Sequence, residues 1–145
     1  MTINLKITGN HITICPPIPD YVTVLVIRGT RLTSLPTLPN GLAKLVCTEN
    51  QLTSLPALPS GLTYLSCEDN QLTSLPTLPS GLTQLYCQSN RLTSLPALSS
   101  GLTTLNCHGN PIVWCERIKD AKRIGINPKK TVVLLRLACK HIQTL

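Results

Sequence analysis

Four cysteines stand twenty residues apart, at Cys47, Cys67, Cys87 and Cys107. Thiols in that number could hold a metal, pair as disulfides or act as nucleophiles. Zinc sites draw their ligands from short spacings such as C-x-x-C or H-x-x-x-H, and the chain has neither. Cys107, His108 and Cys115 are near one another, but strand alternation turns 107 inward and 108 outward, so no metal site is expected. Equivalent positions on neighbouring parallel strands lie roughly 4.8 Å apart. That distance alone is compatible with a disulfide, yet stacked inward side chains run side by side instead of facing each other. The expectation is a core column of reduced, inert thiols, with Cys15 in a core leucine position and read the same way.

Nucleophilic catalysis finds no better footing. Ser and Thr recur at 33–34, 53–54, 73–74 and 93–94; a nucleophile is needed once, so fourfold repetition reads as turn chemistry. His11, His108 and His141 have no neighbouring Ser, Cys or acid arranged as a triad. There is no phosphate-binding loop and no dinucleotide fingerprint. Neither catalysis nor a cofactor is expected.

The scaffold that must position any functional residue is repetitive. Four units follow one another: RLTSLPTLPNGLAKLVCTEN (31–50), QLTSLPALPSGLTYLSCEDN (51–70), QLTSLPTLPSGLTQLYCQSN (71–90) and RLTSLPALSSGLTTLNCHGN (91–110). Residues 11–30 are a diverged copy, and residues 1–10 match the second half of a unit. Within a unit, Leu42 to Cys47 alternates apolar and variable residues, the period of a short strand, with Leu45 and Cys47 inward. The prolines of Leu35-Pro36-Thr37-Leu38-Pro39 forbid a regular helix and favour a polyproline-like return segment with Leu35 and Leu38 turned in. Gly41 is expected to support the tight turn back into the strand. Asn10, Asn50, Asn70, Asn90 and Asn110 are expected to form a ladder, broken at Thr30, that satisfies the backbone after each strand.

At this point the pattern resembles a known family. The stretch L-x-x-L-x-C-x-x-N-x-L from Leu42 to Leu52 is similar to the leucine-rich repeat consensus. The L-P-x-L-P-x-G-L stretch resembles the short subclass found in bacterial type III effectors, both ubiquitin-ligase effectors and ligase-free scaffold effectors. Similar short arrays occur in large DNA viruses and amoebae. The resemblance covers about residues 1–112. It implies an α/β-type leucine-rich repeat solenoid, with a short parallel sheet on the concave face, a polyproline-like convex face and protein-interaction chemistry. The effector family usually carries a helical hairpin before its repeats, which this sequence does not show. Ligase members carry a Cys-x-Asp catalytic loop, and Cys115-Glu116-Arg117 does not match it, so ligase activity is not carried over.

Differences between units concentrate at three outward strand positions. The candidate contact residues are Val24, Lys44, Tyr64, Gln84 and Thr104 in one column, and Val26, Val46, Ser66, Tyr86 and Asn106 in the next. A third column contributes Arg28, Glu68, Gln88 and His108. Free drift would also vary these positions. However, Val24, Val26 and Val46 with Tyr64 and Tyr86 form a contiguous apolar-aromatic stripe, the kind of patch that makes contacts. Six strands would give a sheet about 24 Å across, wide enough for one helix or extended segment of a partner.

Residues 113–145 break the period and read as a basic C-terminal cap. Trp114, Ile118 and Ala121 fit one helical face, ended by Gly125. Asn127-Pro128 fits the start of a second helix, although Val132-Val133 leaves a strand open. Charge divides the same way. Residues 1–110 hold five Lys/Arg and four Asp/Glu, a net +1, whereas residues 111–145 hold eight and two, a net +6. Lys122, Arg123, Lys129 and Lys130 are the candidate anion-binding set.

No apolar run is long enough for a membrane span or for a secretory signal. Seven cysteines without such a signal point to a reducing, intracellular compartment, of its own cell or of a host. Export by a non-classical route and presence in a virion stay open. The leading functional expectation is a protein partner on the concave face. The alternatives are a structural subunit that self-associates through the N-terminal edge strand, and anion or nucleic-acid binding by the tail. The last lacks any recognised motif.

Overall fold

A computed structural model describes residues 2–112. Six strands recur along them: β1 (Asn4–Thr8), β2 (Val24–Arg28), β3 (Lys44–Val46), β4 (Tyr64–Ser66), β5 (Gln84–Tyr86) and β6 (Thr104–Asn106). They form one parallel sheet in sequence order. Every pairing is offset by one repeat, so Leu5, Leu25, Leu45, Leu65, Leu85 and Leu105 lie in register. The sequence period thus becomes a spatial stack, one unit per turn of a solenoid. Between strands the chain returns through Pro-rich segments that are neither helix nor strand, and the described residues contain no helix. The expected helical cap lies outside them.

Each turn contributes the same few side chains to the interior. In the unit 51–70, Leu52, Leu62, Leu65 and Cys67 are fully buried and Leu55 nearly so. A buried leucine contributes roughly 1.5–3 kcal/mol, so each layer is held by apolar contact with the layers on either side. Leu35 and Leu58 remain half-buried while Leu38, Leu75 and Leu78 are buried, so the return segments do turn their leucines inward.

The asparagine column forms the expected ladder. Asn70 Oδ1 accepts from the Leu52 N–H at 3.0 Å, and Nδ2 donates to the carbonyls of Cys47, Cys67 and Glu68 at 2.7, 3.2 and 3.1 Å. Asn90 and Asn110 repeat the pattern one and two turns on. Asn50 reaches back to the Ile27 carbonyl and receives the Thr30 N–H and hydroxyl, so Thr30 ends the ladder. Asn10 was expected to be a member; it is exposed and makes no bond of this kind. The turn of residues 9–12 closes through its own backbone instead, the Ile12 N–H donating to the Gly9 carbonyl at 3.1 Å.

Gly41 also departs from expectation. Its φ is not positive, nor is that of Gly61, Gly81 or Gly101. The turn there closes by the Leu42 N–H donating to the Pro39 carbonyl at 3.1 Å, and Tyr21 stands at the same place in the diverged unit. The left-handed backbone falls instead just before each ladder residue: Glu49 (φ 56), Asp69 (54), Ser89 (53), Gly29 (62) and Gly109 (66). That bend turns the asparagine side chain back into the stack.

A second polar column, not anticipated from the sequence, borders the strands. The hydroxyls of Thr63, Thr83 and Thr103 donate to the carbonyls of Ala43, Thr63 and Thr83 at 3.1, 3.0 and 3.0 Å.

Candidate functional site

The outward face of the sheet is where the repeats differ and where polar, charged and aromatic side chains gather. Its centre is Tyr64 on β4 and Tyr86 on β5, with ring centroids 5.6 Å apart and planes tilted by 37°. The Lys44 ammonium sits 4.2 Å from the Tyr64 centroid, a cation–π placement. The Tyr64 side chain also lies near Ser66 and Arg28. Burial, with Tyr86 and Glu68 beside it, holds that phenol above its usual pKa. Tyr86 points its hydroxyl to Gln84 Oε1 at 3.4 Å.

This arrangement corrects part of the expected contact set. Val46 is 9% exposed and Ser66 only 3%. Both belong to an outward column, yet the larger side chains beside them lie over them. They form the floor of the face. Thr48, in the third column, is likewise fully buried and accepts from Arg28 Nε at 3.0 Å. Val24, Val26, Lys44, Tyr64, Gln84, Tyr86, Gln88, Glu68, Thr104 and Asn106 are half-buried, while Arg28 and His108 are exposed.

Hydrogen bonds run along the third column as well as across it. Gln88 Nε2 donates to Glu68, and His108 Nδ1 lies 2.7 Å from Asn106 Oδ1. Gln88 Oε1 is buried without a hydrogen-bond partner. Arg28 also lies 3.7 Å from the Glu49 carboxylate, an exposed pair of small energetic worth.

On the inner side, Cys47, Cys67, Cys87 and Cys107 occupy one buried column. The Cys47 and Cys67 thiols point to the Ser66 and Tyr86 carbonyls at 3.6 Å. Burial pushes the Cys47 thiol up to about 12 and Cys107 to about 11, and raises Cys67 and Cys87 well above the usual range. A thiol so far above neutrality carries almost no thiolate, the form that attacks electrophiles and binds metals. Among the described residues no group of His, Cys, Asp and Glu is arranged to hold a metal, and no helix is long and apolar enough to cross a membrane. Lys122, Arg123, Lys129 and Lys130 lie outside the described residues.

A one-repeat register, stacked leucines and an asparagine ladder define a leucine-rich repeat solenoid. The chain is a leucine-rich repeat protein similar to bacterial effector arrays. YopM from Yersinia enterocolitica WA-314 is 37% identical with a TM-score of 0.64, the match covering 68% of this chain and 22% of that one. The leucine-rich repeat domain of a Shigella effector is 36% identical with a TM-score of 0.67, over 70% of this chain and 46% of that one. YopM from Yersinia pestis matches at 25% identity and a TM-score of 0.51, over 66% of this chain and 40% of that one. The chain thus spans less than half the length of each of these proteins. The sequence matches no family model and no curated protein. Such effector repeat arrays are typically protein-interaction modules.

Proposed function

We propose that the chain is a non-catalytic protein-interaction module whose partner lies on the outer, concave face of the sheet. The observation that carries this reading is the Tyr64–Tyr86 pair, two half-buried rings in contact at the middle of the most variable surface. Tyrosine buries a large area at small entropic cost and keeps a polar tip, which is why it anchors interfaces. Peripheral cations and amides then set register and specificity. The seven cysteines suit a reducing compartment, in the protein's own cell or in a host.

The test is affinity purification with crosslinking from native material, followed by titration of the captured partner. Tyr64→Ala and Tyr86→Ala should each weaken binding by on the order of 2 kcal/mol, about thirtyfold. The melting temperature should stay close to the parent's. Parent-like affinity in both variants would remove the concave face from consideration.

A second reading, a subunit that self-associates through its first strand, draws on β1. Among the described residues that strand pairs on one side only, and its Leu5 and Ile7 are half-buried where Leu25 and Ile27 are fully buried. Lys6 at its centre opposes edge-to-edge pairing. Sedimentation of the full chain decides it: a monomer at high concentration rules it out.

A further inference from the structure

The outer face is not uniform along the stack. Its first three rungs carry three cations around an apolar floor. Lys6 is level with Val26, Val26 with Val46, Val24 with Lys44, and Arg28 with Thr8. Rungs in a parallel sheet are about 4.8 Å apart, so the ammonium and guanidinium groups of Lys6, Arg28 and Lys44 rise within roughly 10 Å of rung spacing around Val24, Val26 and Val46. The last two rungs carry no Lys or Arg at all and offer Gln84, Gln88, Thr104, Asn106 and His108.

Little negative charge answers those cations within the described residues. Arg28 gives its Nε–H to Thr48 and shares one exposed 3.7 Å contact with Glu49, a pair of small energetic worth. Lys44 rests on the Tyr64 ring, which orients its ammonium without neutralising it. Glu68, the acid of the face itself, follows β4 and so stands one rung beyond these three, where it accepts from Gln88. A half-buried valine floor ringed by under-neutralised cations complements an apolar side chain flanked by carboxylates.

We infer that the N-terminal half of this face docks an acidic segment of the partner protein, with an aliphatic or aromatic residue on Val24 and Val26 above the buried Val46, and carboxylates on Lys6, Arg28 and Lys44. This rests on the concave-face reading and gives the partner its chemistry. The apolar floor separates such a segment from a nucleic acid, whose backbone would bring phosphate charge and no aliphatic group to meet the valines. The charge gradient also fixes polarity: the acidic stretch lies over β1 to β3 and the neutral, hydrogen-bonding stretch over β5 and β6.

The experiment is selection from a random displayed library of twelve-residue peptides against the full chain, followed by anisotropy titrations of the enriched sequence as a synthetic peptide. The enriched sequences should place Asp or Glu on both sides of Leu, Ile, Val or Phe. The triple variant Lys6→Gln/Arg28→Gln/Lys44→Gln should bind about tenfold more weakly, taking a typical exposed pair for each lost cation. Affinity should also fall as salt is raised. The double variant Lys6→Gln/Lys44→Gln, which preserves the Arg28–Thr48 hydrogen bond, should lose about fivefold and guards against a folding defect in the triple variant. A neutral or basic consensus, a library without enrichment, or unchanged binding by both variants overturns the inference. So does equal competition by a twelve-nucleotide oligothymidine, which would make the cluster a general anion site. Peptides that need Tyr64 and Tyr86 but none of the three cations would sink this inference and leave the concave face standing; peptides that need neither set would sink both.

Discussion

Asn70→Ala offers the sharpest test of what holds the stack together. The Asn70 side chain serves four backbone groups on two turns: the Leu52 N–H and the carbonyls of Cys47, Cys67 and Glu68. Leu52 and Cys47 are both fully buried, and Asn70 itself is 9% exposed. Water therefore has little access to what alanine leaves behind. An orphaned buried donor or acceptor costs about 1–3 kcal/mol, so two of them, the Leu52 N–H and the Cys47 carbonyl, amount to about 2–6 kcal/mol. At about 4 °C per kcal/mol for a chain of this size, the melting temperature should fall by roughly 8–24 °C. Urea denaturation followed by circular dichroism measures the free-energy loss directly. Asn70→Asp sharpens the reasoning because it preserves the acceptor for Leu52 and replaces the donor with negative charge aimed at three carbonyl oxygens. That environment raises the introduced carboxyl's folded-state pKa, so the variant is destabilised at neutral pH, recovers as pH falls through the raised folded-state value, and has regained that loss below the unfolded value of about 4. At neutral pH it should be less stable than Asn70→Ala, and at pH ~3.5 the order should narrow or reverse. An Asn70→Ala protein within about 1 kcal/mol of the parent would refute the ladder as a stabilising element.

Gly109→Ala should destabilise by more than about 1 kcal/mol, because its φ is 66° and a Cβ would lie 3.3 Å from the Ser89 nitrogen. Gly61→Ala, with no positive φ and open space around the new methyl, should be neutral or stabilise by up to about 1 kcal/mol; equal losses in urea melts would contradict the assignment of the left-handed site. Cys47, Cys67 and Cys87 should resist a thiol reagent in the native state and react on unfolding, read by mass mapping; rapid native labelling would show an open core. Because burial raises these thiols, the fold retains their protons longer than the unfolded chain does. Stability should be full below the ordinary thiol value of 9.0 and decline as pH climbs toward the Cys47 value of about 12; a denaturation midpoint flat to pH ~11 would contradict this.

The repeat made the scaffold readable. Leu45 and Cys47 alternate with Lys44 and Val46, and an alternating segment repeated at a fixed interval has one compact solution, a stack in register. Asn50 was readable for the same reason, since only a polar residue with a structural task recurs beside a core. The misplaced glycine shows the limit. Gly41, Gly61, Gly81 and Gly101 are invariant among the regular units and drew attention, but the turn they occupy keeps negative φ. The left-handed position holds Glu49, Asp69 and Ser89, whose variety concealed it, although Gly29 and Gly109 at that position were the available signal. The threonine column was equally available at 63, 83 and 103 and was masked by the more frequent Thr-Ser pairs of the return segments.

The relief of the proposed contact face was not legible in the sequence. Strand alternation assigns Val46 and Ser66 to the outside, and alternation is correct about their direction. It carries no information about what a neighbour does with its length. Ser66, two places on from Tyr64, is 3% exposed although alternation faces it outward, because the larger side chains of the neighbouring columns crowd around it. Thr48 similarly sits beneath Arg28 and supplies the oxygen that Arg28 needs. Long side chains in one column thus require short ones next to them, and the three columns do not vary independently. An exchange at Ser66 for a larger residue would lift the Tyr64 ring and disturb its contact with Tyr86, altering binding from a position that itself touches nothing outside the protein. Unconstrained drift would scatter large residues over the face without regard to their neighbours. The Arg28–Thr48 pair shows one such long-over-short fit directly.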